Sequence, residues 1–360
     1  MTTADGPETI IRREGRAGRI TLNRPKALNA LTLGMVRDTR VALDSWIGDD
    51  DVKLVILDGA GERALCAGGD VRTLYDSRAA GSGLARTFWR EEYQLNALIH
   101  RYPKPFVALM DGIVMGGGIG LSAHAQGGGR VVTERSMLAM PETGIGLIPD
   151  VGGTWLLGRA IGELGIYLGL TGARMTGADA IQTGFADIHV PSGALGPLVA
   201  DLVAPDGEHP ADVLDAAREN HPVPNSPLMD LKPEIDRIFG GSSVAAILDQ
   251  LQTTTADWAQ KARADLLQKS PLALVATLRA LREAPRLGSL EAALNVEFRL
   301  CTHLFEHGEF NEGVRALLVD KDKSPRWQPP QLGDVTPAMV DRLFQPVTPA
   351  GDEPGLRSPA

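Results

Sequence analysis

Cysteine is nearly missing from this chain: 360 residues hold two, Cys66 and Cys301. Two thiols so far apart exclude a disulfide framework and fit a reducing compartment. Long apolar runs are missing as well. The longest nearly uncharged stretch, Ile113 to Ala125, is about half a membrane span and dense in glycine. The start, Met1 to Pro7, is polar and shows no apolar signal-peptide core. No run of Lys or Arg offsets a net charge of -9, which argues against a nucleic-acid surface. An anionic small ligand stays open, since it needs only a few local positive groups. These absences predict a soluble, cytoplasmic protein with neither a nucleic-acid nor a membrane partner.

Hydrophobic residues at 43% and charged residues at 22% are the balance of a globular protein, and the length suits a main domain plus a smaller one. Glu8 to Arg13 and Arg19 to Leu22 read as strands around a Gly15/Gly18 turn. Thr32 is placed to cap a helix whose positions Met35, Val36, Thr39, Leu43 and Trp46 follow the helical period. Val52 to Leu57 is a strand, and Ala64 to Asp70 a glycine turn ahead of a helix start at Val71. This order predicts an α/β core. A helix over Arg86 to His100 stops at Pro103-Lys104-Pro105, with Glu91 and Glu92 on either flank of its apolar stripe. Periodicity favours a solvated edge pair there and does not say which glutamate would turn inward.

Phe106 to Met110, Arg130 to Thr133 and Met137 to Met140 read as further strands. Leu164 to Thr171 is a helix ended by Gly172, and Thr176-Gly177-Ala178-Asp179 a capping box. Phe185 to Val190 closes the α/β part, with a boundary at Pro191-Ser192-Gly193. Helices are predicted beyond it at residues 211–219, 233–239, 244–251, 255–268, 272–282 and 290–305, and a disordered tail after Pro346. No repeat of fixed period is visible.

Chemistry concentrates between Val107 and Gly153. Met115-Gly116-Gly117-Gly118 follows a strand and opens a helix, so its amides lie bare for a ligand to approach. Gly68-Gly69 makes a second such cradle, and Glu142 and Asp150 follow in glycine- and proline-framed loops. Amide donors with carboxylates suggest chemistry on a carbonyl. Other motifs are weaker. Gly118-x-Gly120-x-x-Ala123 matches a dinucleotide fingerprint, but lies too late in the chain and lacks the acidic partner. Ser122 and His124 nearly form a nucleophile elbow, but His124 stands where the turn needs glycine. His303-x-x-Glu306-His307 fits an inverted zinc motif without a third ligand. No metal site is expected.

These residues resemble the crotonase (enoyl-CoA hydratase/isomerase) superfamily. Ile20 to Leu31 is similar to its opening strand and CoA-side turn, and Cys66-Ala67-Gly68-Gly69-Asp70 and Met115 to Gly118 to its two oxyanion-hole segments. Arg90-Glu91-Glu92-Tyr93, Met140-Pro141-Glu142-Thr143 through Gly153, and Glu312 through Trp327 resemble the 3-hydroxyisobutyryl-CoA hydrolase branch. The similarity spans roughly Glu8 to Trp327. It implies a spiral of ββα units over residues 8–190 and a helical C-terminal region, which we set at 191–335; composition, not resemblance, gives the disordered tail over 346–360. The resemblance also implies hydrolysis of a short 3-hydroxyacyl-CoA, as in valine breakdown.

Under that resemblance Gly69 and Gly117 give the oxyanion hole, Glu142 is the principal catalytic carboxylate, and Glu92 and Asp150 position the substrate or assist proton transfer. Lys26, Leu28, Ala67 and Asp70 are expected near CoA, which enters as substrate; no cofactor is expected. Relatives often form trimers or hexamers, and the helical tail can favour or block such a homo-oligomer. Hydratases of the superfamily carry a second glutamate where this chain has Gly120. Adding water across a C=C needs two groups, so Gly120 lowers that reading. An isomerase, which runs on one carboxylate, and a non-catalytic acyl-CoA-binding protein are the alternatives. Gly127-Gly128-Gly129 reads as an insertion against the superfamily pattern.

Overall fold

The computed structural model describes residues 6–348 and 353–358. Strands β1 (Thr9–Glu14) and β2 (Ala17–Leu22) form the expected hairpin, with Thr9 opposite Leu22 and Glu14 opposite Ala17. Helix α1 (Leu33–Ile47) starts where Thr32 accepts the Met35 amide, and buries Met35, Val36, Thr39, Leu43 and Trp46. Strands β3 (Leu54–Gly59) and β4 (Ala64–Cys66) follow, then α2 (Val71–Ala79) and α3 (Leu84–His100). The glycine-rich middle comprises β5 (Phe106–Met110), β6 (Ile113–Met115), α4 (Gly117–Ser122), β7 (Arg130–Val132) and β8 (Met137–Ala139). Next come α5 (Gly153–Leu157), α6 (Leu164–Thr171), β9 (Met175–Thr176), α7 (Gly177–Gln182) and β10 (Ile188–His189). The capping box at α7 is formed in full: Thr176 accepts the Asp179 amide, and Asp179 accepts the Thr176 amide.

The rest of the chain is helical. It runs through α8 (Leu195–Val203), α9 (Pro210–Asn220), α10 (Pro227–Phe239), α11 (Val244–Thr253) and α12 (Asp257–Leu267). Then follow α13 (Pro271–Glu283), α14 (Leu290–His307), α15 (Glu309–Val314) and α16 (Pro337–Leu343). Helices α5, α8, α15 and α16 were not expected. Proline at the third residue of α8 and the first of α16 reads as a breaker, yet a first turn tolerates it because those amides need no intrahelical acceptor.

By compactness the chain divides into two units that interleave, so neither follows the boundary expected at Pro191. One comprises residues 1–70, 94–138 and 175–227; the other 71–93, 139–174 and 228–360. The first holds a six-stranded sheet in the order β1-β2-β3-β5-β7-β10 and a smaller sheet in the order β4-β6-β8-β9. From β2 onward the larger sheet is parallel. Its residues Leu54, Ile56, Val107, Leu109, Val131 and Ile188 pack on Leu198, Val199 and Leu202 of α8 and Val213 and Leu214 of α9. That face explains α8: a buried parallel sheet needs a helix over it.

In the second unit α6 is apolar nearly all round and is covered by α5, α12 and α13. Helix α14 packs on α5, α15 and α16. The expectation of a disordered tail falls partly on residues outside those described. For the described part it is corrected. Arg299 pairs with Glu353 at 2.8 Å, Asn295 donates to Leu356 O at 2.9 Å, and the Ser289 and Ser358 hydroxyls lie 2.8 Å apart. Short polar residues and proline suggest disorder by composition, but two residues of α14 and its N-cap, Ser289, offer this stretch specific partners.

Candidate active site

Four of the buried carboxyls in the second unit, Glu92, Glu142, Asp150 and Glu297, feel one another's charge. Glu92, and not Glu91, turns inward from α3: it is 2% exposed, while Glu91 is half-buried. The next residue, Tyr93, donates its hydroxyl to Asp150 Oδ2 at 2.6 Å and lies 3.5 Å from Cys301 Sγ. Asp150 sits in a turn whose next two residues, Val151 (φ +52) and Gly152 (φ +80), are left-handed, closed by Gly153 N donating to Asp150 O at 2.6 Å. Glu142 opens a short 3-10 turn over Glu142–Ile145. Glu142 Oε2 and Glu92 Oε1 are buried without a hydrogen-bond partner among the described residues.

Glu297 is the fourth, and sequence reasoning passed over it. It is fully buried on α14 and accepts from Gly152 N at 2.6 Å, Thr154 N at 2.9 Å and the Thr154 hydroxyl. A signal was there. Leu290, Leu294, Glu297, Cys301 and Leu304 recur at the helical period, so an acid stands at a core position of an otherwise apolar stripe. Lys269 lacked any such signal, because it lies in the turn between α12 and α13.

Burial in such company moves every ionisation. Asp150 is pushed up to about 6 by burial, with the Tyr93 hydroxyl pulling the other way, so it ionises first. Burial raises Glu142 well above the usual carboxylate range; the Asp150 charge adds to this, and the Lys269 ammonium opposes it. Glu92 is raised by burial and then by the charges of Asp150 and Glu142. Burial lifts Glu297 to about 8 against its three donors, and lowers Lys269 to about 8. Asp150 is therefore the acid of this cluster that gives up its proton most readily, and burial makes the others hold theirs more tightly.

The first unit, described by itself, holds the two glycine segments. Leu31 N donates to Gly68 O at 2.8 Å and Asp70 N to Leu31 O at 2.9 Å, a parallel bridge that leaves the Gly69 amide directed away from Leu31. Gly68 has φ +113, a conformation that favours glycine. The Gly117 amide precedes the first bonds of α4, which run from Ile119 N and Gly120 N to Gly116 O at 2.8 and 3.2 Å. A Cβ on Gly118 would lie 2.4 Å from Cys66 O, so only glycine lets α4 start this close to β4.

The residues expected near CoA fall around one loop of the first unit. Ala67 N donates to Leu28 O at 3.0 Å, Arg24 reaches Asp70 at 3.1 Å, and Lys26 is exposed on the neighbouring turn. Leu28 and Asn29 both have positive φ, a turn braced by Asn29, which accepts from Arg24 N at 2.9 Å and donates to Ala64 O at 2.8 Å. The Ser122 hydroxyl donates back to Gly118 O at 2.6 Å, and His303 Nε2 meets Gln345 O at 3.1 Å. Gly120 is buried within α4.

The chain is similar to known proteins in sequence and in fold. The model of the enoyl-CoA hydratase/isomerase family matches residues 17–344. The 3-hydroxyisobutyryl-CoA hydrolase, mitochondrial, of Danio rerio is 44% identical over 350 residues, 96% of this chain and 91% of the fish protein. The Homo sapiens protein of that name is 41% identical over 344 residues, 94% and 88% of the two chains. Among solved structures, a carnitinyl-CoA dehydratase from Mycobacterium thermoresistibile is 46% identical with a TM-score of 0.89, covering 96% of this chain and 98% of its own. An enoyl-CoA hydratase from Rhodobacter sphaeroides 2.4.1 is 45% identical with a TM-score of 0.88, covering 96% and 99%. The α/β fold class expected from the resemblance holds at these scores.

The cytoplasmic expectation does not hold, because these curated hydrolases are mitochondrial. Few cysteines and no long apolar run constrain redox state and solubility, and neither distinguishes the cytosol from an organelle's interior. Among the described residues no helix is long and apolar enough to cross a membrane. By the extent of the family match and the identity to these relatives, the chain belongs to the enoyl-CoA hydratase/isomerase family.

Proposed function

We propose that this chain hydrolyses a short 3-hydroxyacyl-CoA thioester, with 3-hydroxyisobutyryl-CoA as the first candidate. The observation that carries the reading is the buried Glu142 carboxyl with a free oxygen, in a chain 44% identical to a named 3-hydroxyisobutyryl-CoA hydrolase. The amides of Gly69 and Gly117 take the thioester oxygen and stabilise the negative charge that develops on it. Glu142, once ionised, bonds to the acyl carbon as the C–S bond breaks, and CoA leaves as a thiolate that takes up a proton. Water then cleaves the mixed anhydride and restores Glu142. In the direct route Glu142 instead removes a proton from the attacking water. Asp150 and Glu92 hold the 3-hydroxyl, and Glu92, kept protonated by burial, can deliver the proton. No resident cofactor enters either route, Arg24 and Lys26 face the CoA side, and the family resemblance suggests a trimer or hexamer.

A single turnover in ¹⁸O water separates the routes. Label in the Glu142 carboxylate requires the anhydride; label only in the product acid fits direct attack or an anhydride opened at the substrate's own acyl carbon. An enoyl-CoA hydratase or isomerase is the second reading, favoured by the likeness to a solved carnitinyl-CoA dehydratase and a solved enoyl-CoA hydratase. Incubating the chain with 3-hydroxyisobutyryl-CoA and a thiol reagent decides, since only a hydrolase frees the thiol.

A further inference from the structure

Helix α5 begins without a cap of its own. Its N-cap is Gly152, which has no side chain to accept the free amides of the first turn. Glu297 fills that role from α14: Oε2 accepts Gly152 N at 2.6 Å, and Oε1 accepts Thr154 N at 2.9 Å together with the Thr154 hydroxyl. The turn it clamps is the one that carries Asp150. Val151 is a β-branched residue at φ +52, an outlier that persists only where its surroundings over-determine it. The same turn sets the Asp150 carboxylate 2.6 Å from the Tyr93 hydroxyl.

We infer that Glu297 is a positioning residue for catalysis: by capping α5 across the core it fixes the strained Asp150-Val151-Gly152 turn and so aims Asp150. The inference rests on the role given to Asp150 above. A core acid is a costly way to cap a helix, since an ordinary N-cap serine would satisfy one of the same amides locally. Serine at 152 would have to adopt φ +80, where Gly152 now sits. The cap therefore comes from elsewhere because the turn geometry excludes a local one.

The test is a kinetic double-mutant cycle in the full chain, with CoA release from 3-hydroxyisobutyryl-CoA as the readout and thermal midpoints recorded for every variant. Glu297→Gln keeps one acceptor but faces an amide donor toward the clamped N–H groups. We expect kcat to fall about tenfold or more with KM within about twofold, because a misplaced group costs rate more than binding. Adding Asp150→Asn to that variant should cost less than about threefold further, since an unaimed Asp150 has little left to lose. Additive losses would show Glu297 to be structural only, as would a Glu297→Gln kcat within about twofold of the parent. If Glu297→Gln does not fold, Thr154→Val, which removes the hydroxyl donor alone, replaces it. A kcat loss of about threefold, non-additive with Asp150→Asn, then supports the inference, and an additive or absent loss overturns it. Full activity of Asp150→Asn by itself would overturn the role of Asp150 first, and this inference with it.

Discussion

The two units contribute different kinds of chemistry. In the first, the candidate donors are backbone amides at Gly69 and Gly117, fixed by a ladder bridge and a helix start. In the second, the acids are side chains gathered from α3, the 142–150 loops and α14. A backbone donor is written in contiguous sequence and cannot be deleted, only displaced. A buried side-chain cluster is assembled from distant segments, and each member changes the charge state of the rest. The first kind of site resists point substitution in chemistry but is sensitive in geometry, whereas the second behaves the opposite way.

The sharpest break in that comparison is Glu142→Gln, which removes the attacking or activating carboxylate and leaves the amides alone. CoA release should fall about a thousandfold or more with CoA binding nearly intact. Turnover at the parent rate would remove Glu142 from both routes. Second in size is Gly118→Ala in the first unit. The added methyl would meet Cys66 O at 2.4 Å, a backbone atom that has to shift, and the start of α4 must move with it. A displaced donor should lower kcat by about a hundredfold, against a much smaller change in thermal midpoint. Unchanged kcat would mean that the Gly117 amide does not serve the reaction.

The smallest effect is electrostatic. The ammonium of Lys269 pulls the Glu142 pKa down while burial and Asp150 push it up. Glu142 acts ionised, so activity rises as pH rises through its pKa. Lys269→Met removes the opposing charge and should move the acid limb of kcat/KM to higher pH by about half a unit to one unit. A limb that stays in place would uncouple Lys269 from Glu142.

The same contrast explains what could be read from the chain. Both glycine segments, the Thr32 cap and the Thr176–Asp179 box are local, and each lies where the residues place it. Helix α8 was hidden because Gly196 and Pro197 fall in its first turn, and only the sheet face beneath it makes the helix worthwhile. Glu92 could not be told from Glu91 by period alone, since the choice depends on which flank faces Asp150 and Glu142, which come from other segments. Glu297 shows a reading stopped too early: the period put it in the core, and a carboxyl there calls for donors that only the turn at Gly152 supplies.

The grip of α14 on residues near the chain's end has a practical side. Asn295 and Arg299 hold Leu356 and Glu353 on the outside of the helix whose inner side carries Glu297. A truncation before Glu353 therefore removes both contacts from the side of α14 opposite Glu297. For kinetic work that end is best left whole.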